Sequence, residues 1–320
     1  MNWCLKASAR YPNIVKKFGI SIVGAGRIGR TLGRRLREEG WKIHAVVTRS
    51  ETTARRAVRS IGGGSGHAEF SHSIFTAPII LIAVPESSIE SVVARLSSRD
   101  QADWRGKIVL HTSGALSSEV LRPLRSHGAH VGSMHPLQSF SGVGMPALDG
   151  RAFAIEGDRA AAKIARMITR SLGGYPLQLA AGAKPLYHAA AVLAAGHMLA
   201  LEETSVQILV SLGLRRREAL KALLPLTRQV LENLERVGPR SAWTGPLARG
   251  DYGVIAMHQA ALRSTPVEYL DAYRAVNRLA ARVLARDARA TLSELAKVSG
   301  KVAHNPKLEE QPREAIADSH

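Results

Sequence analysis

Three glycines near the start of the chain have the spacing of a turn that binds phosphates. Gly24, Gly26 and Gly29 follow a short β-rich run, Ile20 to Val23, and precede a helix-compatible segment, Arg30 to Glu39. The first glycine allows a tight bend, the second lets the backbone approach a pyrophosphate, and the third lets helix and strand pack closely. Amides at the helix start would face the phosphates. The pattern predicts a dinucleotide site; the alternative is a glycine-rich turn without a ligand. The predicted cofactor-binding residues are Gly24, Ala25, Gly26, Arg27, Ile28 and Gly29.

The choice of cofactor in such a site is made at the end of the second strand, Lys42 to Val47. A carboxylate there would hold the ribose 2′-hydroxyl of an unphosphorylated dinucleotide, whereas a 2′-phosphate calls for Arg and hydroxyl side chains. The strand leads into Thr48, Arg49 and Ser50, which favours NADP(H). The alternative is that Arg49 is a surface charge and that Glu51 binds the ribose.

Three later strand candidates end in polar segments that we expect at one edge of a parallel sheet. The apolar run Ile79 to Val84 is typical of a strand covered on both faces. Residues 84–88 should border the cofactor because ligands bind beyond the carboxyl ends of strands, with Val84 and Pro85 as the predicted binding residues. The strands 107–110 and 130–132 are predicted to end in loops that contain His111, Ser113 and His135. We predict that these three residues line the nicotinamide side. The alternative for each histidine is a buried, structural hydrogen-bonding role.

Hydrophobic periodicity divides the chain into an α/β half and a helical half. Strands at 151–156 and 175–179 flank a helix at 158–172, and the glycines around Ser65 predict a flexible connection. Helices are predicted at 184–212, 215–236, 252–263 and 265–289, the last with a capping box from Thr265 to Glu268. The predicted fold is an α/β, Rossmann-type doubly wound parallel sheet followed by an all-helical C-terminal domain. The predicted domains are 18–180 and 181–290, with a disordered extension at 1–17 and a flexible tail at 291–320.

The helical half offers two further sets of reactive side chains. Lys184 and His188 lie four residues apart on one helical face, where they could protonate or polarise a carbonyl or imine as hydride arrives. Tyr187 is adjacent and is a candidate for substrate binding. Arg249 could clamp a substrate carboxylate beside Asp251. The alternatives are a solvated lysine beside a structural histidine, and a helix–helix turn with Asp251 as N-cap.

Composition limits the partners and the compartment. The 320-residue chain has a net charge of +18 and one cysteine, Cys4, which excludes an internal disulfide framework and a cysteine metal cluster and fits a reducing cytosol. The N-terminus lacks the apolar core of a signal peptide. The most apolar stretch, Leu186 to Leu201, is short for a membrane span. We expect a cytoplasmic protein with no membrane partner and no metal.

The positive charge could also indicate nucleic-acid binding, and four arginines fall on one face of a predicted helix. Aromatic residues are not interleaved with them, so a solvated basic face is the preferred interpretation and no nucleic-acid partner is predicted. The four are Arg278, Arg282, Arg286 and Arg289.

Several motifs together resemble a known family. They are His111-Thr-Ser-Gly114, Gly132-Ser-Met-His-Pro-Leu137, Phe153-Ala-Ile-Glu-Gly-Asp158, Tyr187-His-Ala-Ala190 and Thr244-Gly-Pro-Leu-Ala-Arg-Gly-Asp251. With the glycine turn they resemble the bacterial Rossmann-like family whose C-terminal part is domain of unknown function 2520, over residues 18 to 290. The resemblance implies an NADP-binding domain and a helical domain similar to those of 6-phosphogluconate dehydrogenase and pyrroline-5-carboxylate reductase relatives. It also implies a homodimer joined through the helical domain, and it supplies no reaction.

Wider relatives add two comparisons. β-Hydroxyacid dehydrogenases and ketopantoate reductases carry Lys-x-x-x-Asn where this chain has Lys184-x-x-x-His188, and prephenate dehydrogenases have a His-Pro loop similar to His135-Pro136. The suspected family tends to carry Asn where Gly196 stands, and this departure puts activity in doubt.

The sequence predicts a two-domain NADP(H)-dependent oxidoreductase that acts on a small, carboxylate-bearing carbonyl, imine or alcohol in the cleft between its domains. The first alternative is a non-catalytic NADPH-binding sensor, for which Gly196 is the main argument. The second is nucleic-acid binding by the basic surface.

Overall fold

A computed structural model describes residues 18–99 and 103–302 of the chain. These residues fall into two units, one that ends at Gly196 and one that begins at His197. The extension predicted at 1–17 and the part of the predicted tail from 303 to 320 lie outside the described residues.

The first unit is built around a single sheet, which has eight strands in the described part of the chain. The strands are β1 (Gly19–Val23), β2 (Lys42–Val47), β3 (Ser65–His67), β4 (Ile79–Ile82), β5 (Ile108–His111), β6 (His130–Pro136), β7 (Ala152–Gly157) and β8 (Tyr175–Gln178). Their order is β3-β2-β1-β4-β5-β6-β7-β8. Neighbouring strands are parallel except β6 and β7. The order reverses between β1 and β4, so a ligand-binding crevice is expected at their carboxyl ends.

Helices cover both faces of this sheet. The helices of this unit are α1 (Arg27–Glu38), α2 (Glu51–Ile61), α3 (His72–Phe75), α4 (Glu86–Ser97), α5 (Arg122–Ser126), α6 (Arg159–Ser171) and α7 (Lys184–Val192). Ile79 and Leu81 of β4 pack into one core with Leu32 of α1, whereas Ile80 packs into the other with Ile89 of α4. Successive residues of a strand point to opposite faces, which explains why the predicted run from Ile79 is apolar throughout. The predicted doubly wound α/β fold is confirmed.

Two predictions for this unit were wrong. Residues Ser65–His67, predicted as a flexible connection, form β3 and pair with β2 from Ala45 to Val47. His135 was predicted in a loop, but β6 continues to Pro136 because its last residues pair antiparallel with β7, where Pro136 lies opposite Phe153.

The described part of the second unit consists of helices joined by turns and contains no strand, as predicted. Its helices are α8 (Met198–Ser211), α9 (Arg216–Val237), α10 (Pro239–Ala242), α11 (Pro246–Arg249), α12 (Tyr252–Ala261), α13 (Val267–Leu284) and α14 (Ala288–Val302). A small core joins α11, α12, α13 and α14 through Leu247, Ile255, Ala281 and Leu295. Among the described helices, none has both the length and the apolarity needed to cross a membrane.

Three predictions for the helical half are corrected. The capping box is absent from the described start of α13, because Thr265 Oγ1 instead donates to the carbonyl of Leu262 at 2.7 Å. The predicted helix to residue 289 ends at Leu284, since Ala285 is extended, and this break separates Arg286 and Arg289 from the face that carries Arg278 and Arg282. Residues 288–302 then form α14, with Leu295 buried, so the predicted tail does not start at 291.

Candidate active site at the carboxyl edge of the sheet

The glycine turn between β1 and α1 has one position that faces open space. Gly24 has φ of +92°, and a Cβ there would lie 2.6 Å from the carbonyl oxygen of Ala83. A Cβ at Gly29 would collide with the carbonyl oxygen of Gly24. At Gly26, by contrast, no atom of the described residues comes within 4 Å of an added Cβ. The fold itself therefore requires the first and third glycines, whereas the second leaves room for a ligand to approach the backbone.

The remaining residues of the turn contact the core and the segment between β6 and β7. Ala25 is buried, and Ile28 packs against the core on the α1 side of the sheet. Arg27 Nη1 donates a 3.2 Å hydrogen bond to the carbonyl of Phe140, in the segment between β6 and β7. Arg27 therefore joins the predicted pyrophosphate turn to the segment that follows His135 and Pro136.

The end of β2 presents polar side chains around the start of α2. Ser50 is the N-cap of this helix, and its Oγ accepts a hydrogen bond from the Thr53 amide at 3.3 Å. Thr48 Oγ1 donates to the carbonyl of Ser50, and Arg49 is exposed. Glu51 Oε1 accepts from the Ala68 amide at 3.0 Å. The carboxylate of Glu51, the alternative ligand for the ribose, thus already has a backbone partner. The exposed side chain of Arg49 is available to bind an anionic group.

Lys184, at the first position of α7, is a fully buried cation. Its Nζ donates hydrogen bonds to the carbonyl oxygen of Ser113 at 2.5 Å and to Ser133 Oγ at 2.7 Å. Burial lowers the pKa of Lys184 to about 8, although the negative charges of Glu156 and Glu86 oppose this shift. The ammonium therefore joins the end of β5 to β6, and its proton is held less tightly than that of a solvated lysine.

Ser113, just beyond β5, is connected to the end of β4 through Glu86. Its Oγ donates a 2.5 Å hydrogen bond to Glu86 Oε1, which also accepts from the Ala115 amide at 3.2 Å. Val84 and Pro85 lie directly before Glu86, and Pro85 is the N-cap of α4. The structure thus brings the predicted Val84, Pro85 and Ser113 to one edge of the sheet.

His135, Tyr187 and His188 form a second group beside Gly114. His135 Nδ1 lies 2.9 Å from the Tyr187 hydroxyl, and its ring is edge-on to the rings of Tyr187 and His188, with centroids 5.7 and 5.9 Å away. A Cβ at Gly114 would collide with the His188 ring and would lie 3.0 Å from His135 Nε2. All three side chains are half-buried, and Gly114 allows the two imidazoles to approach the loop after β5.

Burial sets the protonation of these aromatic groups. It lowers the pKa of His135 to about 4, an effect to which the positive charge of Lys184 adds, so this imidazole is neutral near pH 7. It raises the pKa of Tyr187 to about 12, so the phenol keeps its proton and can donate it in a hydrogen bond.

His111 is turned into the protein interior. Its Nδ1 accepts from the Ser113 amide at 3.2 Å, and its Nε2 lies 3.3 Å from the carbonyl oxygen of Ser117, which it can reach as a donor. The ring is fully buried, and burial lowers its pKa to about 3. Both ring nitrogens thus have backbone partners, which is the structural role that the sequence left open for this residue.

Arg249 and Asp251 lie in the second unit, around the end of α11. Arg249 Nε is 3.0 Å from Asp251 Oδ2, and both side chains are largely exposed. Asp251 precedes α12 but makes no side-chain capping bond in the described structure. The guanidinium is paired with a carboxylate of its own chain, and a substrate carboxylate would have to compete with it.

Two residues near Lys184, Ser133 and Glu156, were not predicted as site residues, whereas Glu86 falls within the segment 84–88 that was predicted to border the cofactor. Ser133 lies in the Gly132-to-Leu137 motif, so a signal for it existed in the sequence. Glu156 is buried and accepts from the amide of Ser118 at 2.5 Å. Its negative charge acts on Lys184, a relationship that no local pattern indicates.

Comparisons with known proteins agree with this architecture. Residues 10–136 match a Rossmann-like domain, and residues 151–280 match domain of unknown function DUF2520. The chain therefore combines these two domains, and the resemblance seen in the sequence is confirmed. The sequence matches no protein of curated function.

Solved structures with the same fold come from several organisms. The protein TM1727 from Thermotoga maritima is 25% identical, with a TM-score of 0.63 over 89% of this chain and 100% of its own. Protein BF3122 from Bacteroides fragilis, provisionally named an NADP oxidoreductase, is 20% identical, with a TM-score of 0.67 over 83% of this chain and 98% of its own. A reductive aminase from Aspergillus terreus, in complex with NADPH and ethyl-5-oxohexanoate, is 16% identical, with a TM-score of 0.63 over 86% and 98%.

Proposed function

We propose that the protein is an NADP(H)-dependent oxidoreductase that transfers hydride to or from a small, carboxylate-bearing carbonyl, imine or alcohol. The observation that carries the proposal is the buried ammonium of Lys184, bonded to Ser113 and Ser133 at the strand ends of a unit whose glycine turn is open at Gly26. The related fold of a reductive aminase that binds NADPH supports the same class of reaction.

The residues present suit NADP(H). The open position at Gly26 and the amides at the start of α1 would hold the pyrophosphate. Arg49, with Thr48 and Ser50, would hold the 2′-phosphate, because Glu51 is bonded to the Ala68 amide. When bound, the cofactor supplies or accepts the hydride, and the protein must supply the accompanying proton.

Two residues are our candidates for proton transfer, and their burial gives them different roles. His188 is half-buried beside His135 and Tyr187 and can contact a substrate directly. Lys184 is fully buried, so it acts on the site through Ser113 and Ser133, as a fixed positive charge and as a proton store with a pKa of about 8. A group that titrates near neutral pH is suited to acid–base catalysis.

The neutral pair formed by His135 and Tyr187 would orient the substrate. The phenol of Tyr187 keeps its proton, and its hydroxyl lies 2.9 Å from His135 Nδ1, so the pair can offer a hydrogen-bond donor without adding charge. We keep Arg249 as the candidate for the substrate carboxylate, with Asp251 holding its guanidinium.

The alternative function is a non-catalytic NADPH-binding sensor. Gly196 lies in a π-helical segment, Leu193–His197, where the resemblance leads us to expect Asn. An added Cβ would meet only Val192 Cγ1, at 3.9 Å, among the described residues. Space for a Cβ is therefore present at this position, and crowding at Cβ does not explain the glycine.

We also propose a homodimer joined through the helical unit. In the described structure, Ala219 is the one buried residue of the 22-residue helix α9. The apolar residues exposed along α9 include Leu226 (63%), Val230 (48%), Leu231 (47%) and Leu234 (45%). Most helices in proteins are stabilised by packing of an apolar face, and obligate dimer interfaces are apolar. A second copy of the chain would cover this face.

The functional proposal is tested by titrating the purified protein with NADPH and with NADH, followed by a substrate screen that includes 2-keto acids and cyclic imines. Tight binding of NADPH, weaker binding of NADH and consumption of NADPH with at least one substrate are expected. A protein that binds neither dinucleotide contradicts the proposal.

A further inference from the structure

Glu86 holds a carboxylate between the ends of β4 and β5. It is the first residue of α4, and its Oε1 accepts hydrogen bonds from Ser113 Oγ at 2.5 Å and from the Ala115 amide at 3.2 Å. Ser113 Oγ in turn accepts from the amides of Ala115 and Leu116. The position of the carboxylate is thus fixed by the loop that follows β5.

This carboxylate is negatively charged near neutral pH. Partial burial raises the pKa of Glu86, but the hydrogen bonds from Ser113 and Ala115 outweigh this effect and lower the pKa below its usual value. The backbone N–H groups in the first turn of α4 also favour a negative charge there. Within 4.0 Å, the described residues include no salt-bridge partner for Glu86, and the Lys184 ammonium acts on this carboxylate only over a longer distance.

Glu86 follows β4, which lies on the opposite side of β1 from β2, and the nicotinamide of the proposed cofactor would lie on this side. The glycine turn after β1 would hold the pyrophosphate. Arg49 follows β2, which lies on one side of β1, whereas β4 and β5 lie on the other side. Ligands of such sheets bind beyond the carboxyl ends of the strands. The oxidised nicotinamide ring carries one positive charge more than the reduced ring, and a fixed carboxylate stabilises positive charge that develops nearby.

We infer that Glu86 is an electrostatic residue that favours the oxidised cofactor over the reduced one and thereby promotes release of hydride from NADPH. This inference rests on the proposed function. The competing role for Glu86 is structural, because the same hydrogen bonds hold the turn from Ser113 to Leu116.

The two roles are separated by variants that differ in charge and in hydrogen bonding. Glu86→Gln removes the charge but keeps an oxygen that can accept from Ser113 and Ala115. Glu86→Ala removes both. Glu90, an exposed residue one turn further along α4, provides the matched control Glu90→Gln for the loss of one negative charge.

The measurement is calorimetric titration of each variant with NADP⁺ and with NADPH in the absence of substrate. We expect Glu86→Gln to raise the ratio of Kd for NADP⁺ to Kd for NADPH by about five-fold, as one charge acting through partly solvated protein can do. Glu90→Gln should leave the ratio unchanged. An unchanged ratio in Glu86→Gln, with or without weaker binding of both forms in Glu86→Ala, overturns the inference and leaves the structural role. If the wild-type protein binds neither form, it is the proposed function that fails.

Discussion

Lys184 Nζ donates a 2.5 Å hydrogen bond to the carbonyl oxygen of Ser113, a residue 71 positions earlier in the chain. The bond connects the start of α7 to the loop after β5 and places a positive charge beneath the carboxyl edge of the sheet. A buried cation is costly unless it is paired and hydrogen-bonded. Lys184 has Ser133 Oγ as a further partner and the charges of Glu156 and Glu86 nearby.

Replacement of Lys184 should affect turnover and leave cofactor binding intact. We expect Lys184→Ala to lower kcat by about 10²- to 10⁴-fold, the usual contribution of an acid–base group, with little change in Kd for NADPH. Lys163, an exposed residue on α6, offers the control Lys163→Ala, which should match the wild type. Full turnover in a folded Lys184→Ala variant would remove this residue from the mechanism.

The pH dependence of turnover should follow the titration of Lys184. Because burial lowers its pKa to about 8, the protonated form is lost as the pH rises through about 8. The rate of substrate reduction should therefore fall over that range, and the rate of the reverse oxidation should rise. Lys184→Met should abolish the change near pH 8 in both pH–rate profiles. If the change persisted in this variant, another group would be responsible for it.

The three glycines of the turn should respond differently to alanine. Gly24→Ala and Gly29→Ala should lower the melting temperature, because an added Cβ meets the carbonyl oxygens of Ala83 and Gly24 respectively. Gly26→Ala should keep the wild-type melting temperature but weaken NADPH binding about ten-fold or more, since the methyl group projects into the space proposed for the ligand. A Gly26→Ala protein with unaltered Kd for NADPH would place the pyrophosphate elsewhere.

Arg49 should determine the preference for the phosphorylated cofactor. Loss of a hydrogen-bonded charge is worth about 1.5–3 kcal/mol, so Arg49→Ala should reduce the ratio of NADPH affinity to NADH affinity by about ten-fold or more. Glu51→Gln is the control, because this carboxylate is bonded to the Ala68 amide. The alternative role of Glu51 in ribose binding would appear as a change in NADH affinity in the control variant.

Burial of His135 should make the protein sensitive to acid. Its pKa in the folded state is about 4, against 6.5 for a solvated histidine, so below pH 6.5 the unfolded chain binds more protons than the folded one. The free energy of unfolding should therefore fall as the pH drops from about 6.5 to 4, by at most about 3 kcal/mol from this residue. His135→Gln should reduce that fall in urea denaturation without abolishing it, because the buried His111 has a lowered pKa of about 3 and contributes in the same direction. His127→Gln, at an exposed position, should leave the fall unchanged.

The helical unit should hold two copies of the chain together. Sedimentation equilibrium of the wild type should give twice the mass of 34.4 kDa. A double variant, Leu226→Glu with Val230→Glu, should shift the mass towards that of one chain, since charges on an apolar interface oppose association. A wild-type protein that stays monomeric at micromolar concentration would mean that the exposed face of α9 has another partner or none.

The sequence was informative wherever a local pattern determines the structure. The glycine turn and the apolar runs identified the strands at 20–23, 42–47 and 79–82, because parallel strands that are buried on both faces have a distinctive composition. β3 was missed because Ser65-Gly-His67 has no apolar residue and forms a strand only by pairing with β2. Pairing with β7 likewise placed His135 in a strand rather than a loop.

The arrangement of the candidate site depended on contacts between residues distant in sequence. Lys184 and His188 were selected by their helical spacing, but their surroundings were not predictable: Lys184 is bonded to Ser113 and Ser133, and His188 lies against Gly114. Glu86 gains its fixed position from Ser113, 27 residues later. Side chains that meet across a sheet edge leave no periodic signal in the sequence.

The most direct test of the account follows the absorbance of NADPH mixed with the wild-type protein and a panel of 2-keto acids and cyclic imines, with Lys184→Ala measured in parallel. We predict that both proteins bind NADPH and that only the wild type consumes it at an appreciable rate with at least one compound. NADPH that binds tightly to the wild type but is not consumed with any compound would contradict an oxidoreductase and favour a sensor.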